Sequence, residues 1–395
     1  MTRGKGEGSV YKRADGLWCT SIELPPGPDN KRRRKVVCRK DKAAVVKVMQ
    51  DNKKQLAIHG DITTNSVTVE KWVKHWIEDI APLKIRPKTL SGYQSIVDRF
   101  IIPILGKKRL DKLSAHDIRA LHQTIQSTPK DQTLRGTTDL PPGTEMLSGT
   151  YALAVHNVLS AALKVALRDG KIPVNPCDLV DRPSRNVSDQ KALDVPQAIQ
   201  LLQYVATRPD GALWATYILT GARRGEVLGL EADRVGDHLD LSWQLQSLSD
   251  ISKAPNNWEY RPLGGKLYLT RPKSKAGWRV IPLVEPLRSI LKLHMGTQTE
   301  GLVFNRAGKP VDPYWVTKEW KRVLAAADLP TDVVLHGARH TTVDLLYEAG
   351  VPEAVISEIV GHSSRAVTRG YKSRGNSKQL ADAMGKMSEL LGVTQ

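Results

Sequence analysis

The segment TGARRGE, residues 220–226, is the first of four short motifs that follow one another in the C-terminal half of the chain. The others are RPKSK at 271–275, HGARH at 336–340 and GHSS at 361–364, the last running on to Tyr371. His362 lies 23 residues after Arg339, and Tyr371 lies nine residues after His362. Each motif alone is a weak signal, but four of them in this order and at this spacing form a specific pattern.

This ordered set resembles the tyrosine recombinase family of phage integrases. In that family the first motif supplies an arginine followed by xxE, a hairpin supplies a lysine, HxxR supplies a histidine and a second arginine, and a GH segment precedes the nucleophilic tyrosine. The resemblance implies a site-specific DNA integrase that cleaves and rejoins DNA through a 3′-phosphotyrosyl intermediate, without a cofactor, metal ion or ATP. The catalytic residues that it implies are Arg223, Lys273, His336, Arg339, His362 and Tyr371.

The chemistry of strand cleavage explains why these side chains would be needed together. Attack on a phosphodiester gathers negative charge on the non-bridging oxygens, and the guanidinium groups of Arg223 and Arg339 would meet it with planar, forked donors. A phenol with a pKa of about 10 is a poor nucleophile at neutral pH, so Tyr371 needs a cationic setting. Lys273 would protonate the departing 5′ oxygen as a general acid. The two histidines would hydrogen-bond the phosphate or relay protons.

Two details of the pattern stay open. Lys275 lies two residues after Lys273 on the same predicted hairpin and is a rival for the role of general acid. Ser373 stands two residues after Tyr371, where many relatives have a histidine, although that position is not catalytic.

Some of these residues also fit structural roles. Arg223 could form an i, i+3 ion pair with Glu226 on a helix surface. His336 and His340 share the i, i+4 spacing of zinc-binding HExxH motifs, but Gly337 stands where that motif needs glutamate. A zinc site is therefore not expected.

The N-terminal end of the chain carries a concentrated positive charge. The 395 residues include 59 Lys and Arg against 41 Asp and Glu, and the net charge of +18 favours a polyanionic partner. Residues 1–60 hold half of that excess. Strand patterns at 10–13, 17–24 and 31–38, followed by a helical pattern at 41–58, predict a three-stranded sheet backed by one helix. By resemblance, residues 1–62 form an arm-type DNA-binding domain, with predicted DNA contacts at Lys12, Arg13, Arg32, Arg33, Arg34 and Lys35.

Residues 66–185 resemble the family's helical core-binding, SAM-like domain. Val69, Trp72, Val73, Trp76 and Ile80 recur at helical spacing behind the N-cap Thr68, so both tryptophans fit core packing better than stacking on bases. Further helices are predicted at 89–102, where Pro103 should stop the helix, at 114–126 and at 150–169. The polar stretch 127–149 between them predicts an exposed excursion.

A linker predicted at 181–194 leads to the catalytic domain, residues 190–395, which is mostly helical with strands around 239–245, 266–271 and 278–283. The predicted fold class is therefore multidomain and mainly α with small antiparallel sheets. It consists of a three-stranded sheet plus helix, then a helical bundle, then a mostly helical catalytic domain with β-hairpins. The apolar helical face of the last segment, 376–391, is predicted to pack between protomers, with packing inside its own domain as the alternative.

Several classes of protein are excluded by what the sequence does not contain. No run approaches the roughly 18 uninterrupted apolar residues of a membrane helix, and the first seven residues lack the apolar core of a signal peptide, so an intracellular protein is expected. No Gly-Lys pair is followed by Ser or Thr, so there is no P-loop. Cys19, Cys38 and Cys177 are too few and scattered for a disulfide framework, and we expect buried or idle thiols.

The resemblance also implies partners and a cellular setting. Double-stranded DNA would be bound at core and arm attachment sites by a homotetramer in the bacterial cytoplasm, associated with the nucleoid, with no membrane involved. It leaves open whether a host DNA-bending factor and an excisionase take part. Two other functions also stay open: a type IB topoisomerase-like relaxase that uses the same residues on one duplex, and a DNA-binding regulator whose catalytic set is inactive.

Overall fold

The computed structural model describes residues 8–26, 32–59, 67–186, 191–272, 278–361 and 377–392. The chain separates into two compact units, Met1–Val187 and Ser188–Gln395, so the boundary falls inside the predicted linker. The fold is multidomain and mainly α-helical with small antiparallel sheets, which confirms the predicted class. The finer division into three domains stays a prediction.

The first elements of the chain form the predicted sheet and helix. Three antiparallel strands lie in the order β1-β2-β3 and are followed by one helix. Ile22 and Leu24 are buried and pack against Met49 and Leu56 of that helix, which form the small core of this part. The elements are β1 (Ser9–Lys12), β2 (Trp18–Leu24), β3 (Arg33–Arg39) and α1 (Lys42–His59).

The expectation of three free thiols was wrong for two of them. Cys19 and Cys38 occupy directly opposite positions of β2 and β3, with Cα atoms 4.0 Å apart, and their sulfur atoms form a disulfide. Pairing of the strands in this register brings the two side chains within bonding reach, and the spacing of cysteines along the chain carries no sign of it. Cys177 is a free, buried thiol, and burial raises its pKa to about 12.

The helices that follow α1 in the first unit surround a core that includes both tryptophans, Trp72 and Trp76. Thr68 caps the first helix by accepting a hydrogen bond from the Lys71 backbone N–H, as predicted. The helices are α2 (Val69–His75), α3 (Pro87–Ile96), α4 (Ile102–Leu105), α5 (Ala115–Gln126) and α6 (Gly149–Arg168), with π-helical turns at Trp76–Ile80 and Val97–Ile101. Helix α6 is long and apolar enough to cross a membrane, but nine of its residues are buried, seven of them in this core.

The predicted stop at Pro103 is wrong, because the helix continues to Leu105. The wider π-helical turn just before it accounts for the difference. There the Ile102 N–H bonds to the Val97 carbonyl oxygen, five residues back. This change of hydrogen-bond register opens the helix where the proline ring lacks a donor and would otherwise meet the preceding turn.

The polar excursion between α5 and α6 is exposed, as predicted, and its two ends are held together. Pro129 and Met146 form an antiparallel bridge, and the Lys130 N–H donates to the Glu145 carbonyl oxygen at 2.8 Å. The side chains of Lys130 and Glu145 also form an ion pair. The excursion is therefore a loop closed at its neck.

The second unit has one large hydrophobic core formed by helices and by residues of its short strands. Its helices are α7 (Val195–Ala206), α8 (Gly211–Thr220), α9 (Arg224–Leu228), α10 (Leu287–Met295), α11 (Pro313–Ala326), α12 (Gly337–Glu348), α13 (Glu353–Val360) and α14 (Ser377–Leu390). Its strands are β4 (His238–Asp240), β5 (Gln244–Ser247), β6 (Tyr260–Gly264), β7 (Leu267–Thr270), β8 (Val280–Pro282), β9 (Asn305–Arg306) and β10 (Lys309–Pro310).

The single strand predicted at 239–245 is wrong in one respect. It is divided into β4, which pairs with β8, and β5, which pairs with β7 in a sheet of order β5-β7-β6. The Ser242 N–H donates to the Asp240 side chain at 2.8 Å, and this local turn redirects the chain between the two sheets. Strand β6 was not predicted.

The C-terminal helix α14 packs inside its own unit. Met384, Met387 and Leu391 are buried in the large core, and the Ser388 hydroxyl donates to the Glu285 carbonyl oxygen at 2.8 Å. The structure of the single chain thus shows the alternative, packing within the domain, and packing between protomers stays a prediction.

Candidate active site

The site begins where α8 ends at Gly221, in the left-handed conformation with φ of 57°. A Cβ atom at this position would lie 3.1 Å from Val360 and 3.2 Å from Thr342, so glycine fits both the conformation and the close packing. The chain then turns sharply, and Arg223 becomes the residue that precedes helix α9.

Glu226 holds Arg223 from one turn further along the same helix. Glu226 Oε1 accepts a hydrogen bond from Arg223 Nη1 at 2.7 Å, and Oε2 accepts one from the Arg223 backbone N–H at 2.8 Å. The Arg223 side chain is 40% exposed, whereas that of Glu226 is 2% exposed. The i, i+3 ion pair considered from the sequence therefore exists, but its acidic partner is buried and its basic partner reaches the surface of the site.

A second guanidinium, that of Arg279, binds the same carboxylate. Arg279 directly precedes β8, and its Nη2 donates to Glu226 Oε2 at 2.8 Å. Burial alone would raise the pKa of Glu226, but Arg279 and Arg223 outweigh it and hold that pKa below its ordinary value. Glu226 is therefore a buried, ionised carboxylate between two arginines.

Arg339 lies in the first turn of α12 and is 3% exposed. Its Nη1 donates to the Gly221 carbonyl oxygen at 2.8 Å, and its buried Nη2 has no hydrogen-bond partner among the described residues. Burial, with Arg279 and Arg223 nearby, lowers the pKa of Arg339 to about 9. A buried cation with an unused donor is a favourable place for an anion.

His336 occupies the residue before α12 and has an exposed side chain. Its ring stands edge-on to that of His340, with centroids 5.2 Å apart. Partial desolvation of the ring by the surrounding protein, and then the nearby His340, Arg339 and Arg223, lower the pKa of His336 below its ordinary value. The imidazole is therefore mostly neutral at pH 7 and able both to donate and to accept a proton.

The other four residues predicted for this site, Lys273, Lys275, His362 and Tyr371, lie outside the described residues. The described flanks of the lysine segment are held by Arg271. Its guanidinium carbon lies 4.4 Å from the ring centroid of Trp243 and 4.6 Å from that of Trp278, and its Nη1 donates to the Ser242 hydroxyl at 2.6 Å.

The predicted DNA contacts of the first sheet lie on different faces. Ile22 and Leu24 face α1, and their cross-strand partners on β3 are Lys35 and Arg33. Because side chains alternate along a strand, Arg34 projects from the opposite, open face. Lys12 and Arg13 are exposed at the end of β1, and Arg32 forms an exposed ion pair with Glu23 at 2.6 Å.

Two arginines of the catalytic unit were missed by the sequence reasoning. Arg279 lies outside the four motifs, and Arg271 is the first residue of RPKSK but was given no role. Both lie inside predicted strands, at 278–283 and 266–271, where charged residues are usually taken as solvent-facing. The one available signal was position, since the two arginines flank the segment that carries Lys273.

Three guanidinium groups thus gather around one carboxylate, which leaves a net positive charge suited to an anion. Within the described part of the chain, no group of three His, Cys, Asp or Glu side chains could hold a metal ion. The chemistry that these residues support is the binding of a phosphate and the stabilisation of added negative charge on its oxygens.

Comparisons with known proteins extend this description. Residues 191–377 match the phage integrase family, and residues 68–126 match the phage integrase N-terminal SAM-like domain. The chain is 27% identical over 424 residues to an integrase of Saccharopolyspora erythraea, with 93% of this chain and 92% of the relative covered. An integrase of Streptomyces ambofaciens is 26% identical over 394 residues, again with 93% and 92% covered.

Two solved structures show the same fold. The Tn1549 transposon integrase in complex with transposon right end DNA aligns with a TM-score of 0.60 and 18% identity, covering 80% of this chain and all of that chain. A lambda integrase dimer bound to a COC′ core site aligns with a TM-score of 0.55 and 18% identity, covering 98% of this chain and 97% of that chain.

Proposed function

Because the chain belongs to the phage integrase family, we propose that it is a site-specific tyrosine recombinase that integrates, and also excises, a phage or other mobile element. The observation that carries this proposal is the buried guanidinium of Arg339, which keeps one unpartnered donor beside Arg223. A scissile phosphate is the anion of DNA that such a site would bind.

Cleavage would proceed by in-line attack of the Tyr371 phenolate oxygen on the phosphorus atom. A phosphorus–oxygen bond to Tyr371 forms while the bond to the 5′ oxygen breaks, and that oxygen leaves as a hydroxyl with a proton from Lys273 or Lys275. Arg223 and Arg339 would stabilise the charge on the non-bridging oxygens. His336 and His362 would hydrogen-bond the phosphate and relay protons.

Rejoining would be the reverse reaction with a 5′ hydroxyl from the partner strand. The phosphotyrosyl bond conserves the energy of the cleaved bond, so neither ATP nor a metal ion enters the balance. Four protomers would assemble on two duplexes in the bacterial cytoplasm. Residues 1–62 would bind arm sites and the helical and catalytic domains would bind core sites, with a host bending factor and an excisionase as accessory proteins.

The decisive experiment traps the covalent intermediate. Direct repeats at the ends of the element that carries this gene supply the candidate site, which is synthesised as a nicked duplex from which the cleaved end diffuses away. The wild-type chain should become covalently attached to DNA through Tyr371. Tyr371→Phe should bind the duplex without attachment, and the matched control Tyr347→Phe, at an exposed tyrosine of α12, should attach normally.

The same substrates separate the alternatives. Binding without attachment by the wild-type chain would indicate a regulator. Relaxation of a plasmid that lacks the repeats would indicate a topoisomerase-like enzyme. A duplex with a 5′ bridging sulfur, a better leaving group, should restore cleavage to Lys273→Ala; restoration of Lys275→Ala alone would move the general acid to Lys275.

A further inference from the structure

We propose that Arg279 is a positioning residue for strand cleavage, which fixes Arg223 through Glu226 and fixes the end of helix α13 at the same time. The inference rests on the proposed function. Arg279 belongs to none of the four sequence motifs, and its side chain is only 5% exposed. Arg279 therefore lies beneath the exposed surface of the site and acts through Glu226.

The first part of the argument is the way in which Glu226 is divided between two arginines. Its Oε1 accepts from Arg223 Nη1, and its Oε2 accepts both from the Arg223 backbone N–H and from Arg279 Nη2. A carboxylate with donors on both oxygens has little freedom to rotate. Arg279 thereby fixes the orientation of the group that orients the Arg223 guanidinium.

The second part of the argument concerns the second guanidinium nitrogen of each arginine, which donates to a backbone carbonyl at the end of α13. Arg279 Nη1 donates to the Ile359 carbonyl oxygen, and Arg223 Nη2 donates to the Gly361 carbonyl oxygen at 3.0 Å. These carbonyls belong to the last turn of α13 and to the residue that ends it. The chain continues directly into the segment that carries His362 and Tyr371, so the two arginines hold the point from which that segment departs.

The third part is the position of Arg279 in the sequence. It lies two residues after the segment 273–277, which carries Lys273 and Lys275, and just before β8. Arg279 thus connects three pieces of the proposed machinery: the end of the lysine segment, the helix that begins just after Arg223, and the start of the tyrosine segment.

A purely structural role would make a different prediction. A buried ion pair can often be replaced by apolar side chains without loss of stability, so packing alone does not require a guanidinium here. Positioning does require it, because one planar group must reach the Glu226 carboxylate and the Ile359 carbonyl together. Lysine offers a single point of charge and should replace it only in part.

The experiment compares Arg279→Met and Arg279→Lys in the full chain on the nicked duplex. The matched control is Arg288→Met, because Arg288 also joins a carboxylate, that of Asp237, to a backbone carbonyl, that of Leu283. At saturating DNA and at a temperature where circular dichroism shows folded protein, Arg279→Met should slow attachment about 100-fold, as expected for a misplaced catalytic group. Arg279→Lys should slow it less, and Arg288→Met should not change it.

Two further outcomes decide whether the loss comes from positioning. DNA affinity should stay within about threefold of wild type, and Glu226→Gln combined with Arg279→Met should be no slower than the slower single variant, because both act through Arg223. Wild-type attachment by folded Arg279→Met, or fully additive losses in the double variant, would overturn the proposal.

A readout that does not depend on activity separates this inference from the proposed function. The Arg223 backbone N–H bonds to the same Glu226 oxygen as Arg279, so its hydrogen exchange reports the orientation of that carboxylate. Exchange at Arg223 should be at least about tenfold faster in Arg279→Met and unchanged in Arg288→Met. If the wild-type chain forms no covalent complex, the proposed function fails, whereas unchanged exchange at Arg223 would refute the role of Arg279.

Discussion

Arg339 donates one hydrogen bond to the carbonyl oxygen of Gly221, at 2.8 Å, and this bond fixes the guanidinium in the core while Nη2 remains unused among the described residues. The carbonyl is available because Gly221 ends α8 in a left-handed conformation that other residues rarely adopt. The conformation of the α8 end therefore determines where the Arg339 guanidinium lies.

Arg339→Lys should therefore bind DNA and cleave it poorly. An ammonium group keeps the charge but cannot hold the Gly221 carbonyl and a phosphate oxygen in one planar fork. We expect attachment on the nicked duplex to fall on the order of 100-fold or more, with a much smaller change in DNA affinity. Cleavage at the wild-type rate by this variant would contradict the assignment.

Trp278 should matter for cleavage because it closes the base of the lysine segment against Arg271. Trp278→Ala removes one of two cation–π contacts, each of about 0.5–2 kcal/mol, from that base. Attachment should slow about tenfold, and a 5′ bridging sulfur should restore most of it, because the defect concerns the general acid. Arg306→Ala removes a comparable contact with Trp315 elsewhere in the unit and serves as the control. Loss without restoration by sulfur would count against this role.

The helical part of the first unit should lose stability in mild acid. His156 is buried against His122, and the facing ring nitrogens are 3.1 Å apart. Burial, and then the positive charges of His122 and Arg182, lower the pKa of His156 to about 4. Asp178 raises this pKa and Lys164 lowers it, both by less. Between pH 6.5 and 4, His156 is therefore protonated in the unfolded chain and neutral in the folded chain. The stability is present above pH 6.5, and about 3 kcal/mol is lost as pH falls through this range.

Hydrogen exchange of α6 peptides, corrected for the intrinsic pH dependence, measures this loss. Protection should fall between pH 6.5 and 4 in the wild-type chain and persist further into acid in His156→Leu. His116→Gln, at an exposed histidine of α5, should behave like wild type. Equal acid sensitivity of all three proteins would refute the prediction.

The disulfide should stabilise the N-terminal sheet under oxidising conditions. It joins residues 19 positions apart, and closing a loop of that size contributes about 3 kcal/mol to the free energy of unfolding. Reductant should lower the denaturant concentration at which peptides of β2 and β3 lose exchange protection, and Cys38→Ser should match the reduced wild type. If Cys38→Ser were still destabilised by reductant, the stabilising bond would not be the Cys19–Cys38 disulfide.

Arg34 should contribute to DNA binding from the open face of the first sheet. Arg34→Ala should weaken binding of the full chain to duplex DNA and reduce the slope of log affinity against log salt by about 0.9, the effect of one lost phosphate contact. Lys47→Ala removes the same charge from an exposed position on α1 and should leave the slope unchanged. Equal effects of the two substitutions would indicate general attraction rather than a contact on this face.

Local patterns predicted much of the secondary structure and part of the site. Helix caps such as Thr68, the periodicity of Trp72 and Trp76, and the strand pattern at 17–24 are properties of a few neighbouring residues, and the structure confirms them. Arg223, His336 and Arg339 could be selected because the short motifs that contain them resemble those of the phage integrases.

The errors have two physical origins, which are a local change of helical hydrogen bonding and contacts between residues that are distant in the sequence. The path through Pro103 depends on the π-helical turn just before it, whereas the Cys19–Cys38 bond depends on the register of two strands. Arg279 escaped notice for the same reason, since its partners are 53 and 80 residues away in the sequence.

The loop between α5 and α6 also offers a practical opening for engineering. The bridge between Pro129 and Met146 holds the end of α5 next to the start of α6, independently of the residues at the tip of the loop. At Gly136 and Gly143 a Cβ atom would meet no neighbour within 4 Å, so the chain there is clear of the helical core. A fluorescent protein or an affinity tag grafted between these glycines would leave the fold undisturbed and report where the molecule travels.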